Sequence, residues 1–100
     1  MPTYILVTKL SPELMGQIKR RDEIGHLWRE KVKENCPGVK FLSHYALLGK
    51  YDFLDIFEAR DEEEATKVSL ISTSNGALQA ESWTAIPYPK FLEIVKSLKG

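Results

Sequence analysis

The third predicted strand places the strongest constraint on the fold, because large apolar side chains occur on both of its faces. In the segment Tyr51 to Ala59, Phe53 and Phe57 alternate with Leu54 and Ile56. A strand with one face in water would carry mostly polar residues on that face. The sheet that contains this strand must therefore be covered on both sides, and one layer of helices covers only one of them.

The second predicted strand, Val39 to Leu48, is also apolar on both faces. Its two alternating sets are Leu42, Ala46 and Leu48 on one side, and Phe41, Tyr45 and Leu47 on the other. Only Gly49 and Lys50 need separate this strand from the third. We therefore predict a tight β-hairpin in which Gly49 adopts a positive φ.

The rest of the chain predicts two longer helices that alternate with strands. The expected elements are a strand from Thr3 to Leu10, a helix from Ser11 to about Asn35, a helix from Asp61 to Asn75-Gly76, a strand from Ala77 to Ile86 and a short helix after Pro87. Ser11 before Pro12 is a typical helix start. Asp61 with Glu64 resembles a capping box, which marks the start of the second helix.

The first helix has an apolar stripe that faces the core, with one charged residue inside it. Arg21 lies within this stripe, and Gly16 and Gly25 weaken the helix, so we predict a kink or break near Lys19 to Asp22. His26 falls far from the stripe and is expected to face solvent. The stripe consists of Leu14, Ile18, Ile24, Trp28 and Val32. The surrounding charges predict a solvated helix face: Arg20, Arg21, Lys31 and Lys33 are balanced by Asp22, Glu23, Glu30 and Glu34.

The order βαββαβ followed by a helix predicts an α+β ferredoxin-like fold, with a four-stranded antiparallel sheet and helices on one face. The 100 residues fit one domain over residues 1–100. We expect a second copy of the chain to cover the other sheet face, which gives a homodimer of the dimeric α+β barrel type. The alternative is a monomer whose C-terminal helix folds across that face with its apolar stripe of Phe91, Ile94, Val95 and Leu98.

The charge balance excludes some partners. The chain has 14 Lys+Arg and 14 Asp+Glu, so its formal net charge is zero. A nucleic-acid-binding surface normally needs a basic excess, and we expect no such partner. A neutral chain also suits self-association, because no strong like-charge repulsion separates the copies. The apolar runs are too short to span a membrane and no signal peptide is apparent, so the expected location is the cytoplasm.

The residues that commonly hold metals or act as nucleophiles are few. Cys36 is the sole cysteine, lies near a predicted helix end and is expected to be a small apolar core residue. The two histidines, His26 and His44, have no close spacing, so we predict no metal site. No phosphate-binding loop or other cofactor motif occurs, and no cofactor is expected.

His44 and Asp55 form the sharper pair of candidate catalytic residues. With a two-residue loop at Gly49-Lys50, His44 lies directly opposite Asp55 on the neighbouring strand. Apolar neighbours would partly desolvate the pair; a carboxylate favours the imidazolium, whereas burial opposes it. Two interpretations stay open, a structural ion pair at the dimer interface and a general acid/base dyad in a cavity.

A second set of candidates lies at the hairpin and on the fourth strand. Gly49, Tyr51 and Asp52 are explained by turn structure, with Asp52 accepting hydrogen bonds from turn amides. They are also explained by a ligand site in which Tyr51 and Asp52 line the mouth of a cavity. Trp83 is a candidate for stacking on an aromatic ligand, and alternatively packs in the core or an interface.

Several segments resemble the GYD family of small bacterial and archaeal proteins. The similarity is carried by Tyr45–Phe53, with Leu-Gly-Lys-Tyr-Asp at its centre, and by Thr3–Leu10, Glu58–Asp61 and Glu81–Pro87. This resemblance implies a ferredoxin-like dimeric barrel and implies little about function. The hairpin is also similar, more weakly, to the effector-binding domain of leucine-responsive/AsnC-type regulators, which oligomerise and bind amino acids.

Three functional hypotheses come from these observations. The first is a binding or regulatory module that holds a small metabolite or amino-acid-like molecule, and the sequence favours it over an enzyme. The second is a cofactor-independent enzyme of the oxygenase or isomerase type that uses His44 and Asp55. The third is a structural protein whose role is assembly alone.

Overall fold

A computed structural model describes residues 1–100, with the exception of the Ile18 side chain. Within this part of the chain the strands are β1 (Thr3–Leu10), β2 (Lys40–Ala46), β3 (Phe53–Glu58) and β4 (Ala77–Ala85). The helices are α1 (Pro12–Met15), α2 (Arg21–Asn35), α3 (Glu62–Ser74) and α4 (Tyr88–Ser97), with a 3-10 turn at Ile18–Arg20 before α2. None of the described helices combines the length and the apolar character needed to cross a membrane.

The four strands form one antiparallel sheet in the order β2-β3-β1-β4. This order and the α+β composition confirm the predicted ferredoxin-like fold. Helices α2 and α3 cover one face of the sheet. The hydrophobic core lies between these helices and the sheet, and contains Tyr4, Leu6, Phe57, Ala59, Val32, Cys36, Ala65 and Val68. The opposite face, called the open face below, has no layer of this chain upon it.

The first helical region is divided as predicted, but the division lies between Gly16 and Arg20 and so begins earlier than the break predicted near Lys19 to Asp22. Ser11 Oγ accepts a hydrogen bond from the Leu14 N–H at 3.3 Å, and Pro12 occupies the first turn of α1. The helix stops at Gly16, and α2 starts only at Arg21. Of the predicted core stripe, Val32 is buried and Trp28 packs against the core, while the Ile18 side chain lies outside the described part.

The start of α3 differs in one detail from a capping box. Asp61 Oδ1 accepts from the Glu64 N–H at 3.0 Å, as predicted. The Glu64 carboxylate accepts in return from the Arg60 N–H at 2.9 Å, one residue before the capping residue. This backbone hydrogen bond, together with the Arg60 guanidinium, holds the pKa of the buried Glu64 below its ordinary value despite burial.

Because of a β-bulge in β2, one side chain lies on the opposite face of the sheet from the one predicted. The pairing of β2 with β3 shifts between Phe41 and Ser43, so the extra residue Leu42 reverses the alternation. Phe41 therefore lies on the helix-covered face, where its ring centroid is 5.9 Å from that of Phe57. The prediction that Phe41 shares a face with Tyr45 is wrong for this reason.

The loop that connects β2 and β3 is longer than predicted. Residues 47–52 connect the strands, and positive φ angles in the described chain occur at Gly76 and Gly100, not at Gly49. The tight turn with a positive φ at Gly49 is therefore wrong. The loop is instead tied to β1, because the Asp52 N–H donates to the Thr8 carbonyl at 2.8 Å and the Leu10 N–H donates to Asp52 Oδ2 at 2.7 Å.

Helix α4 projects from the rest of the chain. All of its residues are exposed, including Phe91, Ile94 and Val95 of the predicted apolar stripe, and Leu98 directly after the helix is exposed as well. The radius of gyration is 15.4 Å, against about 13 Å for a compact domain of this length. The alternative in which α4 folds across the open face of its own chain is therefore wrong, because such packing would bury that stripe.

Candidate functional site

A cavity of about 370 Å³ lies between α2, the helix-covered face of the sheet and the end of α3. Its apolar wall is formed by Leu10, Leu14, Ile24, Trp28 and Phe53. Its polar groups include His44, Asp55, Arg21 and Arg29. The volume falls in the range of about 300–1,000 Å³ and the lining has the mixed character that small-molecule sites usually have.

His44 and Asp55 meet inside this cavity, and their predicted cross-strand pairing is confirmed. His44 Nδ1 and Asp55 Oδ1 are joined by a hydrogen bond of 2.5 Å. The Asp55 side chain is 3% exposed, whereas that of His44 is 45% exposed. The His44 ring stacks on the Phe53 ring, with 5.5 Å between the ring centroids. The pair therefore lies on the helix-covered face, with the imidazole between the buried carboxylate and the cavity.

Burial dominates the ionisation of Asp55. Burial raises the pKa of Asp55 above its ordinary value of 3.8, and the opposing effects of the His44 charge, the His44 hydrogen bond and the Arg29 charge do not cancel it. A proton held by this carboxyl is therefore more strongly bound in the folded protein than in the unfolded chain.

This shift predicts a pH-dependent contribution to stability that Asp55→Asn should remove. Between pH 3.8 and the raised pKa the folded state binds more protons at Asp55, so its contribution falls as pH rises. The difference in the free energy of unfolding, wild type minus variant, should therefore be greatest below pH 3.8 and decline above it. Each pKa unit corresponds to about 1.4 kcal/mol.

Urea unfolding between about pH 3 and 5.5, below the ordinary titration range of histidine, measures this difference. The lowered pKa of Glu64 gives the opposite slope, but it acts in both proteins and cancels in the subtraction. A difference that stays constant or grows as pH rises would contradict the assignment.

Arg21 is a cavity residue that the sequence pattern misassigned. Its guanidinium carbon lies 5.3 Å above the Phe53 ring, and its Nη2 donates to Met15 Sδ at 3.6 Å. The prediction of a solvated helix face holds for Arg20, which is exposed and pairs with Glu23 at 3.4 Å, and is wrong for Arg21. The position of Arg21 within the apolar stripe was the signal that could have identified it.

Trp28 fixes the separation of α2 and α3 beside the cavity. Its Nε1–H donates to Ser72 Oγ at 2.7 Å, and the Ser72 hydroxyl donates to the Val68 carbonyl at 3.1 Å. The Trp28 ring also packs against Phe41, with 5.3 Å between the ring centroids. These contacts give the cavity a rigid wall, which is a condition for selective binding.

The second set of candidate residues is not brought to this cavity. Tyr51 donates a hydrogen bond to Glu81 Oε2, which raises the pKa of Tyr51, and its ring meets Trp83 edge-on at 6.3 Å. Both side chains belong to the open face. Asp52 holds the loop against β1, and Gly49 is exposed, with no atom within 4 Å of the position its Cβ would occupy.

Groups that could bind a metal do not cluster in the part of the chain that the structure describes. That part contains no set of three or more His, Cys, Asp or Glu side chains placed around a common point. Cys36 is buried at the end of α2 and belongs to the core, as predicted. Burial raises the pKa of its thiol, with a smaller contribution from Glu64, so the thiolate is disfavoured.

The open face and α4 form a second apolar surface. Ile5, Leu54 and Ile56 lie side by side on β1 and β3, and each is partly exposed. Tyr45 and Trp83 flank them and are also exposed. Contiguous apolar surface of this kind usually marks an interaction site.

Comparison with known proteins gives one family and one relative. A family model described as the GYD domain matches residues 4–95. The chain is also 28% identical over 97 residues to a protein of Thermus thermophilus named "Glutamine synthetase and cystathionine beta-lyase binding protein". That alignment covers 96% of this chain and 100% of the relative. No solved structure matched the chain.

Proposed function

The chain belongs to the GYD domain family, and from that premise we propose that it is a homodimeric binding protein with a regulatory role, which holds a small metabolite in the cavity beside α2. The observation that carries this proposal is the cavity itself. It combines an apolar wall with a few convergent polar groups, and the His44–Asp55 pair leaves Nε2 as the ring nitrogen for a ligand.

The cavity can be tested with a variant that fills it. Gly25 lines the cavity one helical turn from both Arg21 and Arg29, and no atom beyond its chain neighbours and the backbone of its own helix lies within 4 Å of the position its Cβ would occupy. Gly25→Leu should therefore fold normally and obstruct the cavity. Gly49→Leu is the matched control, because Gly49 is equally unobstructed and lies away from the cavity.

A thermal-shift screen with amino acids and aromatic metabolites measures the outcome. A ligand at 100 times its Kd should stabilise the wild type by about 2.7 kcal/mol. We expect this gain to disappear in Gly25→Leu and to persist in Gly49→Leu. The proposal would be contradicted if no compound stabilised the wild type. It would also be contradicted if a compound stabilised Gly25→Leu as much as Gly49→Leu.

The homodimer part of the proposal is supported by the open face and α4. Four strands of about seven residues at about 4.8 Å spacing present roughly 450 Å². A stable interface takes about 800 Å² from each partner, so the sheet face alone is too small. We propose that α4 of each copy adds its exposed apolar side chains, Phe91, Leu92, Ile94 and Val95, to the sheet-on-sheet contact.

The similarity to the Thermus thermophilus protein supports a protein partner as well. We propose that this chain binds a metabolic enzyme of the kind named for that relative, a glutamine synthetase or a cystathionine beta-lyase. Surface plasmon resonance with the two purified enzymes of the same organism tests this point. Binding to neither enzyme above an albumin control would contradict it.

A second candidate function is an enzyme that uses His44 and Asp55. The observation that favours it is the 2.5 Å hydrogen bond between a buried carboxylate and a half-exposed imidazole at a cavity. Such a carboxylate holds the ring in one orientation, as general bases require. Turnover of any ligand found in the screen, lost in both His44→Ala and Asp55→Asn, would favour this candidate.

A further inference from the structure

Two arginines at the cavity lack the partners that other arginines of this chain have. Arg20 pairs with Glu23, and Arg60 pairs with the buried Glu64 at 2.9 Å. Among the side chains that the structure describes, neither Arg21 nor Arg29 has a carboxylate within ion-pair distance. Their guanidinium groups lie instead over the rings of Phe53 and Phe41, at 5.3 Å and 5.6 Å.

The charges around the cavity leave a positive excess. This excess concerns the lining residues other than the His44–Asp55 pair. His26 is exposed and lies 3.9 Å from Glu30 on the surface of α2. Among the remaining charged lining residues, the negative charge of Asp22 offsets one of the two positive charges of Arg21 and Arg29. The balance is one positive charge, which a monoanionic ligand would neutralise.

The Arg21 side chain also has an unused donor. Its Nε atom is buried and has no hydrogen-bond partner in the described structure. Buried donors are normally paired, and an unpaired one carries a free-energy cost. A carboxylate accepts two parallel hydrogen bonds from one guanidinium, so a small rotation of Arg21 towards such a ligand would recover this donor.

We propose that the cavity binds a small monocarboxylate with an apolar body. Arg21 binds the carboxylate, Arg29 adds a second positive charge, and the apolar body packs against Phe53 and Trp28. This inference rests on the proposed function, because it names the chemical class of the small molecule. A carboxylate is favoured over phosphate, since the wall of the cavity is mostly apolar and the charge excess is single.

Isothermal titration calorimetry on the intact protein tests the chemical class. The probes are acetate, butyrate, benzoate and phenylacetate, each paired with its uncharged amide, and inorganic phosphate. We expect at least one carboxylate to bind about tenfold or more tightly than its amide and more tightly than phosphate.

Arg21→Gln should remove that preference by weakening the carboxylate about tenfold or more while leaving the amide unchanged. Arg20→Gln is the matched control, because Arg20 is the adjacent residue, carries the same charge and does not line the cavity. Arg21→Lys keeps the charge without the two-pronged geometry and should give an intermediate loss. Circular dichroism confirms that each variant is folded.

The outcomes separate the two proposals. If no carboxylate binds better than its amide, or if Arg20→Gln weakens binding as much as Arg21→Gln, the monocarboxylate assignment is overturned. Preferential binding of phosphate also overturns it. Each of these results is compatible with the cavity proposal, provided that some compound stabilises the wild type but does not stabilise Gly25→Leu. Failure of the Gly25→Leu test removes both proposals together.

Discussion

Ile56→Lys is expected to convert the proposed dimer to a monomer of 11.4 kDa. Ile56 lies in β3, an inner strand, and its side chain neighbours Ile5 on the open face. Packing of this face against a second copy would bury the new ammonium group without a partner, which is strongly unfavourable. We expect the dimer Kd to rise by about a hundredfold or more, corresponding to about 2.7 kcal/mol.

Sedimentation equilibrium measures the change, and Leu70→Lys serves as its control. Leu70 is an exposed leucine of α3, on the helical layer and away from the open face. This control should remain a dimer. A wild-type protein that is already monomeric at high concentration, or an Ile56→Lys variant that stays dimeric, would exclude packing through the open face.

Phe57→Ala should cause the largest loss of stability. Phe57 is 0% exposed, and its ring contacts those of Tyr4 and Phe41 at centroid distances of 5.7 Å and 5.9 Å. Truncation of a buried phenylalanine costs about 3–5 kcal/mol, because apolar burial is lost and a cavity remains. Small domains have a total stability of only about 5–15 kcal/mol, so the loss is a large fraction of it.

Urea unfolding at a fixed chain concentration measures this loss, since the stability of the proposed dimer would depend on concentration. Leu70→Ala is the control and should change stability by no more than about 0.5 kcal/mol. A loss below about 1 kcal/mol for Phe57→Ala would mean that Phe57 is not at the centre of the core.

The His44–Asp55 pairing could be predicted because it depends on local register. The bulge of β2 lies between Phe41 and Ser43, on the far side of His44 from the hairpin. It therefore leaves the pairing near the loop intact, although it moves Phe41 to the other face. The bulge itself has no sequence signal, since Leu42 is neither glycine nor proline and fits either face.

The cavity could not be predicted because it depends on contacts between distant parts of the chain. The apolar stripe indicates that Arg21 lies on the inner side of α2, but only the packing of α2 on β3 places it over Phe53. The conformation of the hairpin loop likewise depends on the hydrogen bond that the Leu10 N–H donates to Asp52 Oδ2. Such tertiary contacts override the local turn preferences that predicted a tight turn at Gly49.

The most direct test of the central claim, that the cavity is the small-molecule site, uses the two tryptophans of the chain. Trp28 lines the cavity, whereas Trp83 lies on the open face. Each has one indole N–H signal in a ¹H–¹⁵N NMR spectrum, so a titration with the most stabilising compound reports on both surfaces at once. A shift of the Trp28 signal with an unchanged Trp83 signal is the predicted result; a shift of Trp83 alone, or of neither, would contradict the claim.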